Sequence, residues 1–245
     1  VNAIVRINLA GENAGEIVVS GNDFYSSPRL SPDGSQLAWL TWNHPNMPWD
    51  GTELWVGELT TEGLLERSEK IAGGATESIF CPQWSPDGVL YFVSDRSGWW
   101  NLYRQRDRQV EALCPMAAEF GRPQWVFGMS TYAFLSSREL VCAYSTKGVW
   151  RLARLDTETK TREEIETPYT EIGGVQATSM QVVFGGASAT ESASIVRLDL
   201  TTQQTTVLRR SSTLTIDPGY IAAPQAIEFP TENGRTAHAL FYPPS

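Results

Sequence analysis

Few residues in this 245-residue sequence have the types and spacing that reaction chemistry needs. A serine nucleophile is normally lifted out of a strand-to-helix turn by Gly-x-Ser-x-Gly, whose glycines allow the sharp bend. The chain has no such motif, and its nearest run, Gly186-Ala187-Ser188-Ala189-Thr190, lacks the second glycine. A triad also needs a histidine that can reach the nucleophile. Only His44 and His238 exist; the first sits in a proline-rich segment and the second in a strand-like run near the end of the sequence. Cys81, Cys114 and Cys142 are odd in number, far apart and without a Cys-x-x-Cys pair. They predict buried reduced thiols in a cytoplasmic setting, not a disulfide framework or a zinc site. No catalytic residue, metal ligand set or cofactor motif is expected.

The remaining candidates are residues that bind. Ala118-Glu119-Phe120-Gly121-Arg122 places a carboxylate, an aromatic ring and a guanidinium within five residues, and Trp42 to Asp50 contains His44 and ends on Trp49-Asp50. An ordinary role for Glu119 is an ion pair with Arg122 or a solvated loop carboxylate. Trp84, Trp99, Trp100, Trp125 and Trp150 are expected to pack between sheets. The alternation Arg104, Arg106, Arg108 predicts a solvated outer strand and hairpin turn. A formal charge of −9 lacks the clustered Lys and Arg that a nucleic-acid backbone requires. No apolar run approaches membrane-spanning length.

The elements that must position these residues are strands. Ser31-Pro32-Asp33-Gly34 is a turn signature, because Pro32 pre-sets φ and Gly34 accepts whatever φ the exit demands. It recurs as Ser85-Pro86-Asp87-Gly88, preceded in both places by a matching proline, Pro28 and Pro82. Leu37 to Trp42 is apolar almost throughout, which suits a strand covered on both faces. A second marker, starting at Ile4, Leu54, Leu102, Leu152 and Ile195, recurs after 50, 48, 50 and 43 residues. This period, with several short strands per unit, predicts an all-β propeller of four-stranded antiparallel blades.

Four blades and half of another are expected. The half-blade is the pair Ala3 to Leu9 and Glu16 to Val19, joined by a polar turn at Ala10 to Gly15. The blades follow from about Phe24 to Ala72, 79 to 114, 132 to 166 and 174 to 208. Loop insertions fall at Asn43 to Gly51 and at Met116 to Ser130. In the third full blade Ser136-Ser137-Arg138 replaces the Ser-Pro-Asp-Gly turn. Residues 1–212 thus form partial propeller blades, and 213–245 a linker and a separate hairpin around Thr231-Glu232-Asn233-Gly234. The start Val1-Asn2-Ala3 is neither a signal peptide nor an initiator, so the chain is expected to begin inside a larger protein. Open strand edges then make homo-oligomers possible.

The run Phe229 to Pro244 resembles the strand pair that opens the α/β-hydrolase domain of prolyl oligopeptidase family serine peptidases. Ser27 to Gly34, Trp42 to Gly51 and Gly121 to Gly128 resemble the propeller of the microbial dipeptidyl aminopeptidase and acylaminoacyl-peptidase branch. The resemblance covers essentially the whole chain. It implies a non-catalytic propeller that gates and orients short peptides for a Ser-Asp-His triad beyond Ser245. It also implies that Glu119, with Phe120 and Arg122, binds a substrate's free amino terminus, and that His44, Trp49 and Asp50 face the hydrolase domain. The alternative is a stand-alone TolB-like or WD-type propeller that binds a protein partner; a sugar-binding propeller is a third reading. Because no nucleophile elbow is present, an organophosphate serine probe is expected to leave this chain unlabelled. Stoichiometric labelling would reveal a nucleophile that the motif analysis missed.

Overall fold

The Ser-Pro-Asp-Gly turns close as their residues dictate. In the computed structural model, which describes residues 2–9, 11, 15–214 and 216–244, Ser31 Oγ donates to Asp33 Oδ1 at 2.6 Å and accepts the Gln36 amide at 2.9 Å. Gly34 takes φ +73°, which a side chain would resist. The second copy repeats this, with Ser85 Oγ donating to Asp87 Oδ1 at 2.6 Å and Gly88 at φ +83°. Hydrogen bonds from Ser31 and Ser35 hold the Asp33 carboxyl down at about 2. In the third copy Ser136 substitutes, its Oγ accepting the amides of Arg138 and Glu139. The turn expected at Ala10 to Gly15 lies largely outside the described residues.

These turns join strands into antiparallel meanders. A two-stranded half-blade, β1 (Ala3–Arg6) and β2 (Glu16–Ser20), precedes four four-stranded blades. The first blade is β3 (Phe24–Leu30), β4 (Gln36–Trp42), β5 (Glu53–Leu59) and β6 (Leu65–Gly73). The second is β7 (Ile79–Trp84), β8 (Leu90–Ser94), β9 (Asn101–Arg106) and β10 (Gln109–Ala112). The third is β11 (Tyr132–Phe134), β12 (Glu139–Thr146), β13 (Val149–Asp156) and β14 (Arg162–Ile165). The fourth is β15 (Glu171–Ala177), β16 (Gln181–Ala187), β17 (Ser194–Asp199) and β18 (Thr205–Arg210). A 3-10 turn at Pro218–Tyr220 leads to a separate hairpin, β19 (Gln225–Pro230) and β20 (Thr236–Phe241).

Three first strands share a kink. Register slips by one residue after Ser26 in β3, after Phe80 in β7 and after Gly173 in β15. The residues that enter positive φ there are Ser27 (+53°), Cys81 (+52°) and Gly174 (+64°). Pro28 and Pro82 follow the first two; they lack an N–H for the ladder and disfavour ordinary helical φ/ψ in the preceding residue, so a bulge is the accommodation. Cys81 is therefore placed by backbone geometry, and burial pushes its thiol up. All three cysteines are free, with Cys81 and Cys142 buried.

One arginine departs from expectation. Arg104 is only 3% exposed, not solvated, because the third blade covers it. Its guanidinium donates to Glu111 of its own blade, to Glu158 at 2.7 Å from the turn between β13 and β14, and to Tyr91 Oη at 3.5 Å. Arg106 reaches the same Glu158 at 2.7 Å, and Lys160 bonds Glu111 at 3.0 Å. Arg108 does sit in a turn, at φ +62°. Hydrogen bonds from Arg106 and Arg104 hold Glu158 at about 2, below its ordinary 4.5. For Glu111 burial works upward, but Arg104 and Lys160 outweigh it.

The depressed carboxylates stabilise the fold above their ordinary pKa, and that contribution is lost as protons bind. Stability is expected to fall as pH drops from about 4.5 towards about 2, with a shallower fall in Glu158→Gln. Arg104→Met is expected to cost about 1–3 kcal/mol near neutral pH, less than a fully buried pair because Glu158 keeps access to water. Urea denaturation as a function of pH checks both.

Candidate functional site

Most of the residues that form a cleft come from three connections, contributed by the first blade, the second blade and the insertion before the third. The first is the β8–β9 turn, Asp95-Arg96-Ser97-Gly98, closed by Gly98 N–H donating to the Asp95 carbonyl at 2.8 Å with Gly98 at φ +84°. It leads directly to Trp99 and Trp100. Asp95 Oδ1 accepts the Ser78 amide at 2.7 Å, and burial pushes the Asp95 carboxyl above its ordinary value.

The second connection is the long insertion before β11. Glu119 forms a two-way backbone bridge with Ser145 of β12, at 3.0 and 2.8 Å, and the Phe120 amide donates to the Trp100 carbonyl at 2.7 Å. These contacts pin the insertion across both blades. Gly121 then passes directly over the Trp100 ring; a Cβ there would stand 2.7 Å from Trp100 Cε3. Arg122 lies flat on Trp150 with its guanidinium carbon 4.0 Å from the ring centre. It donates to Glu171 Oε1 at 3.0 Å and to the Ile172 carbonyl at 2.7 Å, so its charge is already committed.

The third connection is the loop between β4 and β5. Ser78 Oγ donates to the Pro48 carbonyl at 2.9 Å and Asn46 Nδ2 to the Ala75 carbonyl at 2.8 Å, which anchors the loop to the second blade. Trp49 is thereby presented to the cleft and meets Trp125 of the insertion, ring centres 4.3 Å apart.

Together these segments enclose a cleft of about 480 Å³ with tryptophan walls, Trp49, Trp99, Trp100 and Trp150, and with Asp95, Glu119 and Arg122 among its polar lining. Glu119 and Arg122 do not pair. Glu119 Oε2 accepts the Trp100 amide at 2.9 Å, and its Oε1 carries no protein hydrogen bond among the described residues. Two donors beside the cleft, Trp100 Nε1 and Arg122 Nε, are buried without partners. With carboxylates and aromatic faces in its lining, the cleft can bind a cation or an amine.

The expected site residues divide. Glu119 and Arg122 from one insertion and Trp49 from the β4–β5 loop converge on this cleft. Phe120 is instead fully buried in the core, stacked on Tyr144 at 5.4 Å, with no surface open to the cleft. His44 lies away from the cleft, edge-on to Phe24 at 4.9 Å, and Asp50 turns back to accept the Met47 amide at 2.8 Å. Trp84, Trp100 and Trp150 pack against the cores as expected, whereas Trp99 and Trp125 are 43% and 73% exposed and do not. Sequence reasoning missed Asp95, which sits in a short hairpin turn, and assigned Trp99 to sheet packing although it lines the cleft. The signal available was the pair Trp99-Trp100 directly after that turn.

No protein-family model matches the chain, and no curated protein does. Solved structures do. A puromycin-hydrolysing peptidase of Mycobacterium tuberculosis is 37% identical, with 99% of this chain and 38% of that one aligned at a TM-score of 0.91. A puromycin hydrolase mutant complexed with PGG is 34% identical over 94% of this chain and 35% of that one, TM-score 0.87. Prolyl oligopeptidase B from Galerina marginata shares the fold at 14% identity and a TM-score of 0.69. The chain spans little more than a third of the two puromycin-hydrolysing proteins, and over nearly its whole length it matches their propeller portion.

The close passage of Gly121 over Trp100 generates a structural prediction. Gly121→Ala is expected to displace the indole and cost about 1–3 kcal/mol, seen as a lower thermal midpoint and altered near-ultraviolet circular dichroism. An unchanged spectrum and midpoint would mean that the ring moves aside freely.

Proposed function

We infer that this chain, matched over nearly its whole length to the propeller portion of puromycin-hydrolysing peptidases of the prolyl oligopeptidase family, is the non-catalytic propeller of such a serine peptidase. It gates and orients short substrates for a Ser-Asp-His triad carried by a hydrolase domain outside the sequence, of which β19 and β20 form the opening strand pair. The observation that carries this reading is Glu119. Its carboxylate is fixed by the Trp100 amide at 2.9 Å, keeps one oxygen open, and stands in a tryptophan-walled cleft. That arrangement suits the ammonium of a free amino terminus, because a charge-assisted contact gains strength where water is thinned out. The ligand PGG held by one relative agrees with a peptide-like occupant. A stand-alone binding propeller has no comparable support, since more than a third of the residues are identical to those of the peptidases' propellers.

In the full-length enzyme Glu119→Gln keeps the shape and removes the charge. It is expected to lose about 1.5–3 kcal/mol of recognition, or about 10- to 150-fold in kcat/KM, for peptides with a free amino terminus. Amino-blocked peptides should show no such loss. Equal losses on both would make Glu119 structural, and no loss on either would remove it from recognition.

A further inference from the structure

Asp95 is the one cleft carboxylate that this reading leaves unused. It resembles Glu119 in how it is held: one oxygen accepts a backbone amide, from Ser78 at 2.7 Å, and no cation pairs with the side chain among the described residues. Its sequence neighbour Arg96 is turned to Glu77 at 2.8 Å, and Arg122 is committed to Glu171. Arg122 also lines the cleft but is spent on Glu171, so among the described residues neither Asp95 nor Glu119 has an ion-pair partner. Burial, with the Glu77 carboxylate adding to it, pushes the Asp95 carboxyl upward.

The walls favour one kind of counter-ion. Trp99 is 43% exposed with no ring partner among the described residues, and it stands between Asp95 and Glu119 in sequence and on the same cleft as both. A flat or flexible cationic chain gains by lying across an indole face while its charged end meets a carboxylate. The volume, about 480 Å³, lies within the range of about 300–1,000 Å³ typical of small-molecule sites. It exceeds what a bare ammonium needs.

We propose that the cleft recognises a dication: a peptide or aminoacyl compound whose first residue is basic, with its α-ammonium on Glu119 and its side-chain cation on Asp95 across the face of Trp99. This rests on the Glu119 reading and adds the class of side chain that accompanies the amino terminus. Asp95 and Trp99 become specificity-determining residues, not catalytic ones.

Lysine and norleucine differ at the first position in charge and little in reach, so they isolate the Asp95 contact. In the full-length enzyme, kcat/KM is measured for Lys-initiated and norleucine-initiated peptides, each free and N-acetylated, in wild type, Asp95→Asn, Trp99→Ala and Glu119→Gln. Asp95→Asn retains an acceptor for the Ser78 amide, and a thermal midpoint for each variant separates unfolding from lost recognition. Wild type is expected to prefer Lys by about tenfold or more, the scale of one charge-assisted hydrogen bond, and Asp95→Asn to bring the ratio close to one. Trp99→Ala should reduce it in part. A wild-type ratio near one, or a ratio unaltered in a folded Asp95→Asn variant, overturns this inference alone. Unaltered discrimination between free and acetylated peptides in Glu119→Gln overturns the reading beneath it, and the dication with it.

Discussion

The fold depends on middle strands that are buried on both faces, because no blade has a core of its own. β4 shows the mechanism: Leu37 and Trp39 point to the half-blade side, with Tyr25, while Ala38 and Leu40 point to the second blade, among Ile79, Leu90 and Phe92. β8 divides the same way, Leu90 and Phe92 backward, Tyr91 and Val93 forward. In β12 Leu140, Cys142 and Tyr144 join the core shared with the second blade, and Val141 and Ala143 the core shared with the fourth. The period of two that puts successive side chains on opposite faces thus welds each sheet to two neighbours. Removing one blade would expose half of two cores. The burial of Arg104 follows from the same stacking, since a side chain on the forward face meets the next blade whether it is apolar or charged.

What the sequence discloses follows from that periodicity. Runs such as Leu37 to Trp42 are apolar without alternation because both faces are covered, and the turns between them need proline, aspartate and glycine at fixed places. Strand order and the positions of both insertions were therefore legible. So was the weak third copy, since Ser136 supplies the same side-chain acceptor as Ser31 and Ser85. Contacts between blades were less so. Arg104 reads as a solvated strand residue because Glu158 and its turn lie 54 positions away, and Phe120 reads as a ligand residue because nothing local reveals that Tyr144 will cover it. Local pattern fixes the direction a side chain takes from its own sheet. It does not say what stands there.

The cleft illustrates the same limit from the other side. Its polar groups are carried by connections, which the hydrophobic pattern does not constrain, and they meet only because the blades are stacked in one register. Trp49 belongs to the first blade's loop, Asp95, Trp99 and Trp100 to the second blade, and Glu119, Arg122 and Trp150 to the third blade and the insertion before it. Binding residues gathered on loops over a rigid scaffold are the usual arrangement where function has to vary without the core varying. Here the loops are not left mobile. The Glu119–Ser145 bridge, the Phe120–Trp100 bond and the Ser78–Pro48 bond tie each of them to a strand end.

These ties make recognition and architecture hard to separate at Glu119. Its backbone holds the third blade through Ser145, while its side chain holds the second through the Trp100 amide, and the oxygen left over faces the cleft. The carboxylate is thus pre-oriented by contacts that also dock two blades, which lowers the ordering cost of binding but links ligand affinity to blade packing. Asp95 has the same double attachment within the second blade, through Ser78. A ligand cation bound to either carboxylate in the folded state alone would stabilise the junction as well as occupy it. Conversely, anything that loosens the junction releases the carboxylates to water and would weaken the proposed ammonium contact. On the proposed reading, the junction of the second and third blades is where the same atoms serve stability and specificity.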